Sequence, residues 1–259
     1  MINQVINIVR EASKLMTSDI TIEQKGNDSN FVTSADVNVQ RFLEERLLNL
    51  IPESTFLGEE AGKQAVSTEY IWVVDPIDGT ANFIRGLGAS AISVGLVKGG
   101  KPYLGVIYEP YKDEMYYAEL GKGAFLNGKQ IYVSERDFKH ATLCSAASLY
   151  NKDFAKPCFN IIQKVYYQSD DFRRFGSAAI ELAYLAAGRI ELFFEIRLFP
   201  WDMSAGHIII EEAGGCIEYL YEDMLPLDRP AGIIVANNKE NLEKLREIVY
   251  AEISEKLYE

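Results

Sequence analysis

Trp72-Val73-Val74-Asp75-Pro76-Ile77-Asp78-Gly79-Thr80-Ala81-Asn82-Phe83 is the stretch that decides how this chain is read. Residues 70–74 favour a short buried strand, and it runs without a break into two carboxylates three positions apart across a proline. Pro76 predicts a rigid turn that carries both acids. Asp75 and Asp78 held that way repel each other unless cations sit between them, so a metal site is the natural relief. Gly79 and Thr80 follow with exposed backbone N–H groups and no side chain at Gly79, which suits an anionic oxygen such as that of a phosphate. Asp, Pro and Gly are also ordinary turn formers, so the pair acquires meaning only from what surrounds it.

Two further acidic blocks lie outward from this stretch. Gly58-Glu59-Glu60 closes an apolar run at residues 55–57, and Trp201-Asp202 opens a helical pattern whose first N–H groups favour negative charge, which gives Asp202 an N-cap reading. Thr33-Ser34-Ala35-Asp36 matches a capping box, so Asp36 has a structural explanation before any chemical one.

The remaining periodicity sets the fold class. Residues 2–16 and 39–50 place apolar side chains at helical spacing, predicting two amphipathic helices at the start. Residues 92–133 alternate and are broken by Lys98-Gly99-Gly100-Lys101 and Asn127-Gly128, which predicts an antiparallel meander. A helix at 177–187 stopped by Gly188, a strand at 190–194, a helix at 202–213 closed by Gly214-Gly215, strands at 216–220 and 233–236, and a terminal helix capped by Asn237 or Asn238 complete the pattern. Helix and sheet in alternating layers follow, a mixed α+β architecture with subdomains at 1–145 and 146–259.

Composition removes whole classes of function. Lys and Arg number 26 against 38 Asp and Glu, a net charge of −12, which argues against a nucleic-acid partner. No apolar run of about 18 residues occurs for a membrane span, and Arg10, Glu11 and Lys14 interrupt the N-terminal apolar pattern, which argues against a signal peptide. Cys144, Cys158 and Cys216 show neither disulfide nor zinc spacing, which fits a reducing cytoplasm. With only His140 and His207, most histidine-dependent chemistries lose their central residue. His207 sits among isoleucines as a core or interface residue, and His140 reads as surface. Asp75 and Asp78 are too widely spaced for a D-x-D phosphatase, and none of the cysteines has arginine six positions on. Gly86-Leu87-Gly88-Ala89-Ser90-Ala91 imitates a dinucleotide fingerprint but precedes a strand, not a helix.

Gly58-Glu59-Glu60, residues 72–83, and Pro200-Trp201-Asp202-Met203-Ser204-Ala205-Gly206 with Glu211-Glu212-Ala213-Gly214-Gly215, taken together and in this order, closely resemble the inositol monophosphatase family of Mg²⁺-dependent, lithium-sensitive phosphatases. The likeness runs nearly end to end and is weakest at 148–171. It implies an αβαβα layered sandwich, a homodimer, a small phosphorylated substrate and two or three Mg²⁺ ions per site. By the resemblance Glu59, Asp75 and the Ile77 carbonyl hold one ion, Asp75, Asp78 and Asp202 a second, and a weaker third lies near Glu59. Thr80 with Asp36 would orient the attacking water. Gly79 and Thr80 would bind phosphate, Gly176, Ser177, Ala178 and Glu195 would contact the substrate, and Lys25, Glu60 and Thr33 would stand close by. Ala81-Asn82-Phe83 and Glu195 favour an inositol monophosphate. A fructose-1,6-bisphosphatase or a broad-specificity sugar or nucleotide phosphatase is the alternative, with Arg173 and Arg174 near enough to serve a second phosphate. A non-catalytic regulatory binding protein is a third reading.

Overall fold

The structure, a computed structural model, describes residues 1–17, 20–24, 31–60, 69–147 and 151–258. Among these, a seven-stranded sheet and a five-stranded sheet alternate with three layers of helix, the expected αβαβα sandwich. A short hairpin pairs Ile22–Gln24 with Phe31–Thr33.

Each helix is placed by where its apolar side chains go. Helices Ile2–Ala12 and Ser34–Leu50 bury Val5, Val9, Val39, Leu43 and Leu47 against Trp72, Val74, Val94 and Leu96 on one face of the seven-stranded sheet. The sheet's opposite face supplies Val73, Ile107 and Tyr116 to a core that includes helices Ala178–Ala186 and Pro200–Glu212. That same core takes Phe193, Ile233 and Val235 from the five-stranded sheet. The outer face of this second sheet, with Leu192, Phe194 and Ile234, is covered by helices Ala155–Tyr166 and Lys239–Glu252.

The seven-stranded sheet is the predicted meander with one parallel strand added at its edge. Thr55–Gly58 pairs parallel to Tyr70–Asp78, and antiparallel pairing then runs in sequence order to Lys129–Ile131. Asn127 and Gly128 both take positive φ, 48° and 83°, as a type I′ hairpin turn requires. Asp75-Pro76-Ile77-Asp78 is not the predicted turn after the strand: the strand continues through Asp78, with a register shift between Asp75 and Asp78 against Ala91–Lys98. Proline lacks an N–H for the ladder, so the chain bulges there and re-aims both carboxylates.

Two glycines allow the central helix to approach the sheet. A Cβ at Gly95 would lie 2.4 Å from Ser204 Oγ, and one at Gly105 would lie 2.4 Å from the Ala205 carbonyl oxygen. With no side chains there, the Pro200–Glu212 helix settles directly on the strands, and its first turn reaches the bulge at Asp75. Within this layer Gly206 faces Leu182, whose Cδ1 would be 2.6 Å from an added Cβ. His207 is buried, its Nδ1 2.5 Å from Tyr219 Oη and its Nε2 3.3 Å from Glu211 Oε1, so it serves the core, while His140 is exposed.

Candidate active site

Asp75, Asp78 and Asp202 each present a carboxylate oxygen within 4.8 Å of the other two. Asp75 and Asp78 are buried and Asp202 is half-buried. Among the described residues no lysine or arginine ion-pairs with any of the three. Burial and mutual repulsion therefore act together. Burial first, then the charges of Glu59, Asp78 and Asp202, hold the Asp75 carboxyl well above its ordinary range. Burial pushes Asp202 up as well, reinforced by Asp78 and Glu59. Asp78 is raised to about 6 by burial, opposed by hydrogen bonds from Ser177 and Ala179.

Each acid has one oxygen tied down locally. Asp75 Oδ1 accepts the Ile77 N–H at 2.9 Å, fixing the bulge. Asp78 Oδ2 accepts both Ser177 Oγ and the Ala179 N–H at 2.6 Å, so the start of the Ala178–Ala186 helix orients it. Asp202 Oδ2 accepts the Phe199 N–H at 2.7 Å. It is the third residue of its helix and not the N-cap, because Pro200 occupies the first position. A capping contact and membership of the acidic cluster thus coexist in one side chain.

Asp36 divides its carboxylate in the same way. Oδ2 accepts the Thr33 N–H at 2.8 Å while Thr33 Oγ1 accepts the Asp36 N–H at 3.3 Å, the expected capping box, and Thr33 Oγ1 also donates to Oδ2 at 2.5 Å. Oδ1 faces Thr80 Oγ1 at 3.3 Å, and that hydroxyl also lies 3.0 Å from the Ile77 carbonyl oxygen. Burial raises the Asp36 carboxyl, opposed by the Thr33 bonds. Gly79 takes φ +86°, and a Cβ there would meet the carbonyl oxygens of Ala89 and Gly176 at 3.0 and 3.2 Å. Only glycine fits this position without strain.

Glu59 lies outside the three-carboxylate group, yet its charge raises both Asp75 and Asp202. The turn that carries Glu59 and Glu60 is held by Gln40, whose Oε1 accepts the Glu60 N–H at 2.8 Å. Glu195, on strand Leu192–Leu198, is half-buried, and burial pushes its carboxyl well up, reinforced by Glu181 and Asp202 and opposed by Arg174. Arg173 is paired with Asp171 at 2.5 Å, and Arg174 is exposed. Lys25 lies outside the described residues.

Sequence reasoning did not find Gln40 or Glu181. Glu181 is 1% exposed, and its Oε1 accepts the N–H groups of Phe175 at 2.6 Å and Gly176 at 3.0 Å. A lone acid within Ala178-Ala179-Ile180-Glu181-Leu182-Ala183 was the available signal, since a charge inside an apolar helix needs a partner.

An acidic cluster that no described lysine or arginine pairs with, beside a threonine–aspartate pair, agrees with the acidic ligand set that the resemblance implies. The inositol monophosphatase family model matches residues 1–254. The chain belongs to that family. A "Fructose-1,6-bisphosphatase/inositol-1-monophosphatase" of Aquifex aeolicus is 37% identical over 84% of the chain and 81% of its own length. "Nus factor SuhB" of Escherichia coli is 36% identical over 84% of each chain. Among solved structures, an inositol monophosphatase from Anabaena superimposes with a TM-score of 0.84 at 27% identity, over 96% of this chain and 95% of that one. Consistent with the composition, no described helix is long and apolar enough to cross a membrane.

Proposed function

We propose that this inositol monophosphatase family member is a Mg²⁺-dependent phosphatase of small phosphate monoesters, with inositol monophosphate as preferred substrate. The observation that carries the reading is the buried Asp75–Asp78–Asp202 cluster beside the Asp36–Thr80 pair. The donor set fits magnesium, because the group contains hard carboxylate oxygens and neither histidine nor cysteine. Asp75, Asp78 and Asp202, with Glu59 and the Ile77 carbonyl, would hold two or three ions. When bound there, divalent cations neutralise the phosphate dianion, lower the pKa of the attacking water and stabilise the leaving alkoxide.

The chain's own groups do the rest. Thr80 donates its proton to Asp36 Oδ1, which leaves the Oγ1 lone pairs to accept a hydrogen from the attacking water and aim its oxygen. Asp36, raised by burial, is the more basic for it. Water adds to phosphorus, the P–O ester bond breaks, and the alkoxide gains a proton, giving the alcohol and inorganic phosphate. Gly79 and Thr80 supply amides to the phosphate, and Gly176, Ser177, Ala178 and Glu195 meet the polyol. Residues 1–145 and 146–259 would then share one site, with Asp202 and Glu195 completing what the first part begins.

Phosphate release with Mg²⁺ from inositol 1-phosphate, fructose 1,6-bisphosphate, 3′-phosphoadenosine 5′-phosphate and NADP tests the reading. The highest kcat/KM is expected with inositol 1-phosphate. A preference for the bisphosphate would favour the alternative that the Aquifex relative's name contains. No turnover on any ester by folded protein would overturn the enzyme reading and leave a regulatory one. A homodimer and a cytoplasmic setting are also proposed, the first checked by light scattering.

A further inference from the structure

Phe175, Gly176 and Ser177 are gripped from both sides by residues with no place in the chemistry above. From within the segment's own helix, buried Glu181 takes the Phe175 and Gly176 N–H groups on a single oxygen, at 2.6 and 3.0 Å. From across the site, Asn82 Nδ2 donates to the Phe175 carbonyl oxygen at 2.7 Å and to the Ala89 carbonyl oxygen at 2.8 Å. The two grips meet on neighbouring peptide groups. Between them Gly176 takes φ +79°, and a Cβ there would lie 3.1 Å from Asn82 Nδ2.

What this segment delivers is specific. Its carbonyl at Gly176 closes over Gly79, and its last residue, Ser177, donates to Asp78 Oδ2 at 2.6 Å. Ser177 Oγ is also the N-cap acceptor for the Ile180 N–H at 3.3 Å. Its hydroxyl thus uses its lone pair on the helix and its proton on Asp78, and this division fixes which way the Asp78 carboxylate points. Phe175 extends the support outward by packing edge-on against Tyr184, with ring centroids 5.3 Å apart.

We propose that Glu181 and Asn82 are positioning residues: together they lock the segment at residues 175–177, and through Ser177 they set the Asp78 carboxylate for cation binding and the Gly176 backbone for substrate. The inference rests on the phosphatase reading but makes its own claim, about which groups hold the site in shape. A carboxylate satisfying two backbone N–H groups in a nearly dry pocket does more than fill space. Removing it strands both donors, and neutralising it while keeping an oxygen does not.

Three variants and two readouts independent of turnover test this. Glu181→Ala and Asn82→Ala are each expected to speed amide hydrogen exchange at Phe175 and Gly176 at least tenfold. Each should also weaken Mn²⁺ binding, titrated by electron paramagnetic resonance, at least fivefold. With inositol 1-phosphate and saturating Mg²⁺, KM should rise more than kcat falls. Glu181→Gln, which keeps an acceptor oxygen, should recover most of the exchange protection and Mn²⁺ affinity. If Glu181→Ala fails to fold, Asn82→Ala and Glu181→Gln carry the test. Unchanged exchange and unchanged Mn²⁺ affinity in a folded alanine variant would overturn the proposal, as would a glutamine variant as impaired as the alanine one. Should the wild-type protein release no phosphate from any ester, the phosphatase reading fails while the exchange and Mn²⁺ arms still judge the clamp.

Discussion

Asp75→Asn should stabilise the protein in the absence of divalent cations and abolish its response to them. The side chain stays the same size, and the substituted amide oxygen can still accept the Ile77 N–H now held at 2.9 Å. Its NH₂ sits among carboxylate oxygens of Asp78 and Asp202 within 4.8 Å that can serve as acceptors. What disappears is charge. Two unit charges 4.8 Å apart, the outer separation within the cluster, repel by about 3.5 kcal/mol at an effective dielectric of about 20. Asp75 has two such neighbours, so full ionisation would cost about 7 kcal/mol, and its raised pKa offsets part of that by favouring the neutral form. The relief left for the variant is taken as about 2 kcal/mol, roughly half of one pair's repulsion at this distance. At roughly 2–4 °C per kcal/mol for a chain of this size, its Tm in EDTA should rise by about 4–8 °C. A ligand at a hundred times its Kd stabilises by about 2.7 kcal/mol, so wild-type protein in excess Mg²⁺ should gain about 5–10 °C. The variant should gain under about 2 °C and release no phosphate. Differential scanning calorimetry with EDTA and with Mg²⁺ gives all four values. A variant that melts below wild type in EDTA, or gains as much from Mg²⁺, refutes the idea that like charges at this bulge are relieved by cations.

Burial holds Asp78 at about 6 and Glu181 at about 7, so the folded state binds their protons more tightly than the unfolded chain does. That stabilisation is present at low pH and is lost as pH climbs from about 4 through 7. Tm in EDTA should fall between pH 5 and 7.5, a range above the titration of surface carboxylates such as Glu114 and Glu252, which their partners lower. Mg²⁺ should flatten the slope, and a rising EDTA curve would contradict the assignment. Gly105→Ala drives a methyl into the Ala205 carbonyl, so a loss of about 1–3 kcal/mol in urea unfolding is expected, with kcat falling as Asp202 shifts. Unchanged kcat would show that helix seating does not govern the cluster. Glu195→Gln should alter the ratio of kcat/KM between inositol 1-phosphate and fructose 1,6-bisphosphate and leave the Mg²⁺ requirement alone. A changed requirement with constant ratios would remove Glu195 from polyol recognition.

The acidic stretch at 72–83 was legible because its residues act within a few peptide units of one another. The meander and its Asn127-Gly128 turn were legible for the same reason. The bulge was not, because proline and glycine mark turns and bulges alike, and only pairing with Ala91–Lys98 tells them apart. Asp202 was placed at its helix start within two residues, but its arrival beside Asp75 depends on Gly95 and Gly105, whose role shows only once the helix lies on them. Gln40 falls on a helix whose pattern already looked complete, so nothing along the chain marked it as the anchor of Glu60. Helix Ala155–Tyr166 was hidden by Pro157 within its first turn, although Cys158, Ile161 and Val165 keep the period.

The seating of the Pro200–Glu212 helix on bare glycines sets a timetable for biosynthesis. The third acid of the cluster leaves the ribosome 202 − 75 = 127 residues after the first. At about 5–20 residues per second that is an interval of roughly 6–25 s. Over its last 71 residues, from Ile131 to Asp202, the nascent chain has its whole meander and holds Asp75 and Asp78 without Asp202. On the proposed function, capture of a divalent cation by all three would report that the late-made half has docked on the early one.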